Sequence, residues 1–332
     1  MSKPNTVITM ARAVDQFLTD EQMGRLRRLV NLVEPDTIPP SETEFSAFLD
    51  ANGIEIVISG WNSPLITPAV MAANPQLKYM AHMTGTVRKM VQRESIEQGL
   101  LVTNWGNLIG PTVAEGALTG ILSCLRRTTE IAILTHIKNG WKPRDNETLF
   151  RKKVGLYGFG NIARHLVGLL APFGCDVEAF SPYTEDVELE GCGVRRQTDL
   201  QALFAANHVI SIHAANTEET YHTVNAEMLA AMKDGAVLVN TARGAIIDTD
   251  ALIVELKAGR IYASLDVYEK EPLPEDSLLR GLLNCQLMCH SAGPTPDSMV
   301  MFGEAAIDNI ERYISDKPLE RLVDVELYDL MT

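Results

Sequence analysis

One turn constrains this chain more than any other feature. The strand-like run Val154–Tyr157 passes directly into Gly158-Phe159-Gly160-Asn161-Ile162-Ala163, and the helical run Arg164–Ala171 follows. In such a turn the first glycine permits the tight bend and the second lets a ligand approach bare backbone. The third position needs a small residue where helix meets strand, a need that Ala163 meets. Backbone N–H groups at the helix start, backed by the positive end of the helix dipole, then attract an anion such as a pyrophosphate. An ordinary glycine-rich turn is the plain alternative. The strand before it, the helix after it and a second strand-like run at Val177–Phe180 favour a dinucleotide held by Gly158, Gly160, Asn161 and Ile162.

Around this turn, strand-like and helical runs alternate: Val154–Tyr157, Val177–Phe180, Val209–Ile212, Ala236–Asn240, Ile261–Leu265 and Gln286–Cys289 are separated by helical patterns. That alternation implies crossover connections and a doubly wound parallel sheet covered on both faces. A second α/β unit precedes it, with strand-like Ile54–Ile58, Leu77–His82 and Leu100–Thr103, a helix opened by Thr67-Pro68, and another across Arg88–Gln98. Between the two, a long helix begins at Gly110-Pro111 and runs to the break at Gly140-Trp141-Lys142-Pro143. Its small residues favour close packing, with an interface between subunits as one use. The amphipathic tail Pro296–Ser315 can return to the first unit. The expected division is therefore a dinucleotide domain at 105–292 and a discontinuous substrate domain at 1–104 plus 293–332.

With 332 residues the chain is long enough for two such domains. Its 29 Lys and Arg against 43 Asp and Glu give a net charge of −14, which repels nucleic acid and anionic lipid unless a basic patch intervenes. Arg25, Arg27 and Arg28 read instead as a solvated helix face. No uninterrupted apolar run reaches the ~20 residues of a membrane span, so neither nucleic acid nor membrane is an expected partner. The 5 cysteines show no disulfide framework and the start shows no signal-peptide pattern, which makes the reducing cytosol the expected compartment. Cys285, Cys289 and His290 lack a fourth ligand at a recognised spacing, and no metal is expected.

Ligands of open α/β sheets bind beyond the carboxyl ends of the strands. There the sequence places Ser181, His213, Arg243, Asp266 and His290. An arginine can clamp a carboxylate and a histidine can exchange a proton near neutral pH, so a nicotinamide beside them would complete a hydride-transfer site. Ser181 stands where an acidic residue usually meets the adenosine ribose. It does not repel a 2′-phosphate, yet no Lys or Arg lies between it and Val194 to attract one. NAD is the expected cofactor, with NADP left open.

Taken together, Val113-Ala114-Glu115, Val154 through Ile162, Asn240-Thr241-Ala242-Arg243-Gly244, Leu265 through Leu273 and His290-Ser291-Ala292-Gly293 resemble the D-isomer-specific 2-hydroxyacid dehydrogenase family over nearly the whole chain. The resemblance implies a Rossmann dinucleotide domain with a flavodoxin-like substrate domain, a homodimer, and a small 2-keto or 2-hydroxy acid as substrate. It implies Arg243, Glu271 and His290 as the catalytic trio: Arg243 on the substrate carboxylate and carbonyl, His290 as acid and base, and Glu271 orienting its imidazole. It further implies cofactor contacts from Thr112, His213, Thr217, Thr241, Ala242, Asp266 and Gly293. Backbone amides around Thr84 and Gly85 would hold the substrate carboxylate. Two departures stand out: Ala214-Ala215-Asn216 follows His213 where the family carries a proline, and Arg88 follows the Thr84–Thr86 turn. Arg88 reads as part of a solvated helix start or, more sharply, as a partner for a second anionic group on the substrate. Trp61 reads as core packing or as a pocket wall. The rival reading from another class is a dinucleotide-bound scaffold without turnover, as in the related C-terminal-binding corepressors.

Overall fold

Short β-branched runs, buried on both faces, build two separate parallel sheets. The computed structural model describes residues 3–10, 14–141 and 145–331 and divides into two compact units, Met1–Leu108 with Thr295–Thr332, and Ile109–Pro294. In the first unit the strands are β1 (Asn5–Ile8), β2 (Asn31–Val33), β3 (Ile56–Ser59), β4 (Tyr79–His82) and β5 (Leu101–Thr103). They run in the order β2-β1-β3-β4-β5, all parallel, which is the flavodoxin-like order with its switch point between β1 and β3. Neither β1 nor β2 stood out in the sequence, because strands of 4 and 3 residues carry too little periodicity to read. Val7, Val57, Met80 and Val102 from the sheet meet Phe45 and Leu49 of the helix Glu42–Ala51 in one core.

Two expectations for this unit are corrected. The helix expected over Arg88–Gln98 is only Arg93–Glu97, because Val91 is drawn into a parallel bridge with Ile66 and the chain before it turns. Arg25 is not a solvated cation. From the helix Asp20–Leu29 it pairs with Glu304 (2.5 Å), Asp308 (2.7 Å) and Glu311 on the helix Pro296–Ile314.

The second unit holds β6 (Lys153–Tyr157), β7 (Asp176–Phe180), β8 (Arg195–Arg196), β9 (Val209–Ile212), β10 (Val237–Asn240), β11 (Tyr262–Leu265) and β12 (Cys285–Leu287). Their order is β12-β11-β10-β9-β6-β7-β8, all parallel. Chain order reverses between β6 and β9, which is where a doubly wound sheet opens a crevice for a ligand. Alternate residues feed opposite cores, as strands buried on both faces require. Val154, Val209 and Val239 face one cluster, and Ile210, Leu238 and Leu265 face the other.

The long helix of the sequence is two helices, Gly110–Arg126 and Thr128–His136. Arg127 interrupts them in the left-handed conformation, φ 55°, with its side chain buried and its Nη1 donating to the Cys124 carbonyl at 2.6 Å. Lys142 and Pro143, expected to end the helix, lie outside the described residues. On one face of Gly110–Arg126 a small residue meets the sheet. A Cβ on Gly120 would stand 2.6 Å from Ser264 Oγ, so the helix crosses β11 at backbone distance. Extended back to Gly106, this segment is long and apolar enough to cross a membrane, contrary to the reading of runs alone. Ala114, Ala117, Ile121 and Leu125 are instead buried in the unit's core.

Candidate active site

The glycine turn sits at the switch point of the second sheet. Gly158 has φ +92°, and a Cβ there would lie 2.6 Å from the Ala214 nitrogen, so only glycine lets the β6 and β9 turns touch. Gly160 has open space where a Cβ would be and begins the helix Asn161–Leu170, whose first turn no side chain caps. Exposed glycine backbone beside uncapped helical N–H groups is a cradle that fits a pyrophosphate. Ala163 is fully buried, and Asn161 packs over Gly110, which has no Cβ to oppose it.

Other residues expected to meet the cofactor are placed as follows. His213 turns its Nε2 to Ser211 Oγ at 2.8 Å, and burial pushes its pKa down to about 4, so the ring is neutral near pH 7. Thr217 closes a turn with Thr220, and the Thr112 hydroxyl donates to the Ile109 carbonyl at 2.9 Å. Thr241 has a buried hydroxyl with no hydrogen-bond partner, an orphan that a polar ligand atom would satisfy. The Ser181 hydroxyl is engaged with Thr184 at 2.8 Å, and a cation from beyond Val194 reaches its loop. Arg196, on the neighbouring β8, donates to the Ser181 carbonyl at 3.0 Å and also meets the Thr184 carbonyl and Asp186. Arg196 lies 15 residues beyond Ser181, and the parallel pairing of β8 with β7 brings it back to this loop.

Glu271 and His290 come together on two loops at the ends of β11 and β12. His290 Nδ1 is 2.8 Å from Glu271 Oε2, while the other Glu271 oxygen accepts the Tyr268 N–H at 3.0 Å. The carboxylate is therefore fixed before it fixes the imidazole, and Nε2 is left to face outward from a side chain 53% exposed. His290 itself has φ +55°, a sparsely populated conformation for a side-chain-bearing residue. Asp266 supports that conformation: its carbonyl accepts the His290 N–H at 2.8 Å, and its carboxylate accepts the N–H groups of Ser291 (2.7 Å) and Ala292 (3.0 Å). Asp266 thus has a structural part in shaping this loop. Asp266 is buried, with both oxygens committed to the loop that carries His290. The loop lies directly on the helix Gly110–Arg126, since a Cβ on Gly116 would be 2.7 Å from Ala292 Cα. Gly293 follows, half-buried, near Val113.

Arg243 follows β10 in a turn braced by buried Asn240, whose amide accepts from the Ala242 N–H (3.0 Å) and donates to the Arg243 carbonyl (2.9 Å). Burial lowers the Arg243 pKa, and the nearby Glu271 charge opposes that shift. Gly244 makes the approach possible: a Cβ there would lie 1.8 Å from the Tyr268 carbonyl carbon, so any side chain would push apart the loops bearing Arg243 and Glu271. Cys289 is exposed and Cys285 buried, and among the described residues no three His, Cys, Asp or Glu side chains gather as a metal site.

In the first unit, described by itself, the turn after β4 leaves the N–H groups of half-buried Gly85 and Thr86 without a hydrogen-bond partner among the described residues. Consecutive free N–H groups form an anion-binding concavity. Thr84 is fully buried, with its hydroxyl 2.6 Å from His82 Nε2. Arg88 lies over the Tyr328 ring, 5.6 Å from its centroid, as part of the packing of the C-terminal helix. Trp61, 44% exposed, makes edge contacts with Phe17 and Trp105, so packing accounts for one side of it and solvent meets the other.

The family model for the NAD-binding domain of D-isomer specific 2-hydroxyacid dehydrogenases matches residues 118–292. The chain belongs to this family. It is 32% identical to a glyoxylate reductase of Thermofilum pendens over 98% of this chain and 96% of that protein. It is 34% identical to a hydroxypyruvate reductase of Thermotoga maritima over 66% of this chain and 71% of that one. The D-mandelate dehydrogenase structure from Rhodotorula graminis shares the fold with a TM-score of 0.83, at 21% identity over 97% of each chain. Family membership makes the chain an oxidoreductase with a nicotinamide dinucleotide domain. Three supporting residues escaped sequence reasoning: Tyr268, whose hydroxyl bonds the Leu265 and Met288 carbonyls, and the two spacers Gly116 and Gly244. Only the clash that a side chain would cause reveals the glycines.

Proposed function

We propose that this chain transfers a hydride between a nicotinamide cofactor and C2 of a D-2-hydroxy acid or its 2-keto acid, with His290 as the acid and base. The observation that carries the reading is the Glu271–His290 hydrogen bond at 2.8 Å, at one end of the sheet with Arg243. Glu271 holds the imidazole through Nδ1, which leaves Nε2 as the atom that gives a proton to the keto oxygen in reduction or takes one in oxidation. Arg243 binds the carboxylate and polarises the carbonyl. Gly85 and Thr86 supply backbone N–H groups to the carboxylate. The glycine turn, Thr241 and Ala242 hold the cofactor, which when bound supplies the hydride donor or acceptor. His213, neutral and tied to Ser211, lines that cofactor site as an uncharged neighbour.

Both coenzymes fit this reading. Ser181 itself has no carboxylate to repel a 2′-phosphate, and Arg196 brings a cation to its loop. Arg196 is already engaged by Asp186 and two carbonyls, however, so discrimination between NADH and NADPH is expected to be weak. The proposed assembly is a homodimer formed through the helix Thr128–His136, which has no buried residue, and the exposed Ile137 and Trp141 that follow it.

The test is reduction of glyoxylate, hydroxypyruvate, pyruvate, phenylpyruvate and oxaloacetate with NADH and NADPH separately. Turnover of at least one keto acid with the D-hydroxy acid as product is expected. Tight coenzyme binding with no turnover on any of them would favour the scaffold reading.

A further inference from the structure

His82 closes β4 in register with Ser59, which closes β3. Its Nδ1 is 2.9 Å from Ser59 Oγ and its Nε2 is 2.6 Å from Thr84 Oγ1. All three residues are buried, His82 at 2% exposure. Burial drives the His82 pKa down to about 3, against a smaller opposing hydrogen bond to the Thr86 backbone, so the ring is neutral at working pH. A neutral imidazole has one N–H and one bare nitrogen, and can therefore accept from one hydroxyl while donating to the other. Three buried polar side chains at two strand ends are costly unless mutually satisfied, and aliphatic residues there would stabilise the core more. The polar chain therefore calls for a reason other than stability.

Its position supplies one. The chain ends on Thr84, the first residue of the turn with the free N–H groups. The rest of the turn is held from β5: Asn104 Nδ2 donates to the Gly85 carbonyl at 2.7 Å and the Trp105 N–H to the Thr84 carbonyl at 3.3 Å. The Trp105 indole packs on Gly85, where a Cβ would be 2.8 Å from it. The carbonyls of Thr84 and Gly85 and the Thr84 hydroxyl are all fixed, and the N–H groups are what remains.

We propose that His82, through Ser59 and Thr84, is a positioning residue that locks the Thr84–Val87 turn so that its free N–H groups receive the substrate carboxylate. This rests on the keto-acid reading above. In the full-length enzyme with saturating coenzyme, His82→Leu is expected to raise KM for the keto acid about tenfold while kcat changes by less than about threefold. Coenzyme Kd, read by nicotinamide fluorescence, is expected to stay within about twofold of wild type. His82→Gln, whose amide keeps a donor and an acceptor, should recover most of the KM. Thr84→Val, which removes only the hydroxyl, should reproduce the KM increase and carries the test if His82→Leu does not fold. A general loss of packing would lower melting temperature and kcat without this selective KM effect or its rescue. An unchanged KM in His82→Leu or Thr84→Val, or no rescue by glutamine, would overturn the positioning role. Absence of turnover by the wild type on every keto acid would instead overturn the reading it rests on.

Discussion

The two sheets of this chain carry their candidate functional residues at the same topological position and equip it in opposite ways. Beyond the strands of the second unit stand Arg243, Glu271 and His290, with the imidazole 53% and the carboxylate 37% exposed. Beyond β3 and β4 of the first unit stand Ser59, His82 and Thr84, all buried and uncharged, under a turn of bare N–H groups. Moving a proton to a substrate requires a side chain with a nitrogen that the substrate can reach. Recognising a carboxylate requires only fixed dipoles, which burial strengthens. The same residue type, histidine, thus stands solvent-exposed beside a carboxylate in one setting and buried between two hydroxyls in the other.

The comparison can be broken most severely at His290. His290→Ala is expected to lower kcat about a thousandfold, the scale of lost general acid catalysis, with little change in melting temperature. Arg243→Gln should follow with a loss of about a hundredfold in kcat/KM, from a weakened hold on carboxylate and carbonyl. Gly244→Ala tests whether the second unit depends on loop apposition. A Cβ 1.8 Å from the Tyr268 backbone cannot be accommodated in place, so kcat should fall about tenfold or more as Arg243 and Glu271 separate. Kinetics beside thermal melts would separate that from simple unfolding.

The smaller effects sharpen the contrast. The unfolded chain protonates His82 and His213 near the ordinary 6.5, whereas the folded rings wait until about 3 and about 4. Between those values the unfolded state binds more protons, so stability is steady above pH 6.5 and falls as pH drops below it. The slope approaches about 1.4 kcal/mol per pH unit for each ring. Urea melts at pH 7 and pH 5 should show the loss, and His82→Gln should flatten it. Least of all, Arg196→Ala should reduce kcat/KM with NADPH about threefold more than with NADH, read from paired coenzyme titrations.

Much of the second unit was legible in the sequence because its function sits on contiguous motifs. The glycine turn, Arg243 after β10 and His290 after β12 each follow a strand that reads clearly. Asp266 was visible after β11, but its support of the His290 loop was not, since its hydrogen bonds go to backbone N–H groups at Ser291 and Ala292 that leave no mark on composition. Gly116 and Gly244 act through atoms they lack. In the first unit the turn at Thr84 and Gly85 was visible, but its support was not. Ser59 and His82 are 23 residues apart and meet only through the pairing of β3 with β4. Arg196 was hidden for the same reason, on a strand of 2 residues beside β7.

The most direct test of the assignment of proton chemistry to the second unit is the single-turnover rate of coenzyme oxidation with hydroxypyruvate, measured for wild type and His290→Ala with coenzyme affinity determined alongside. The expected result is unchanged coenzyme binding and a hydride-transfer rate lower by about a thousandfold in the variant. A variant that reduces the keto acid within about twofold of the wild-type rate would contradict it.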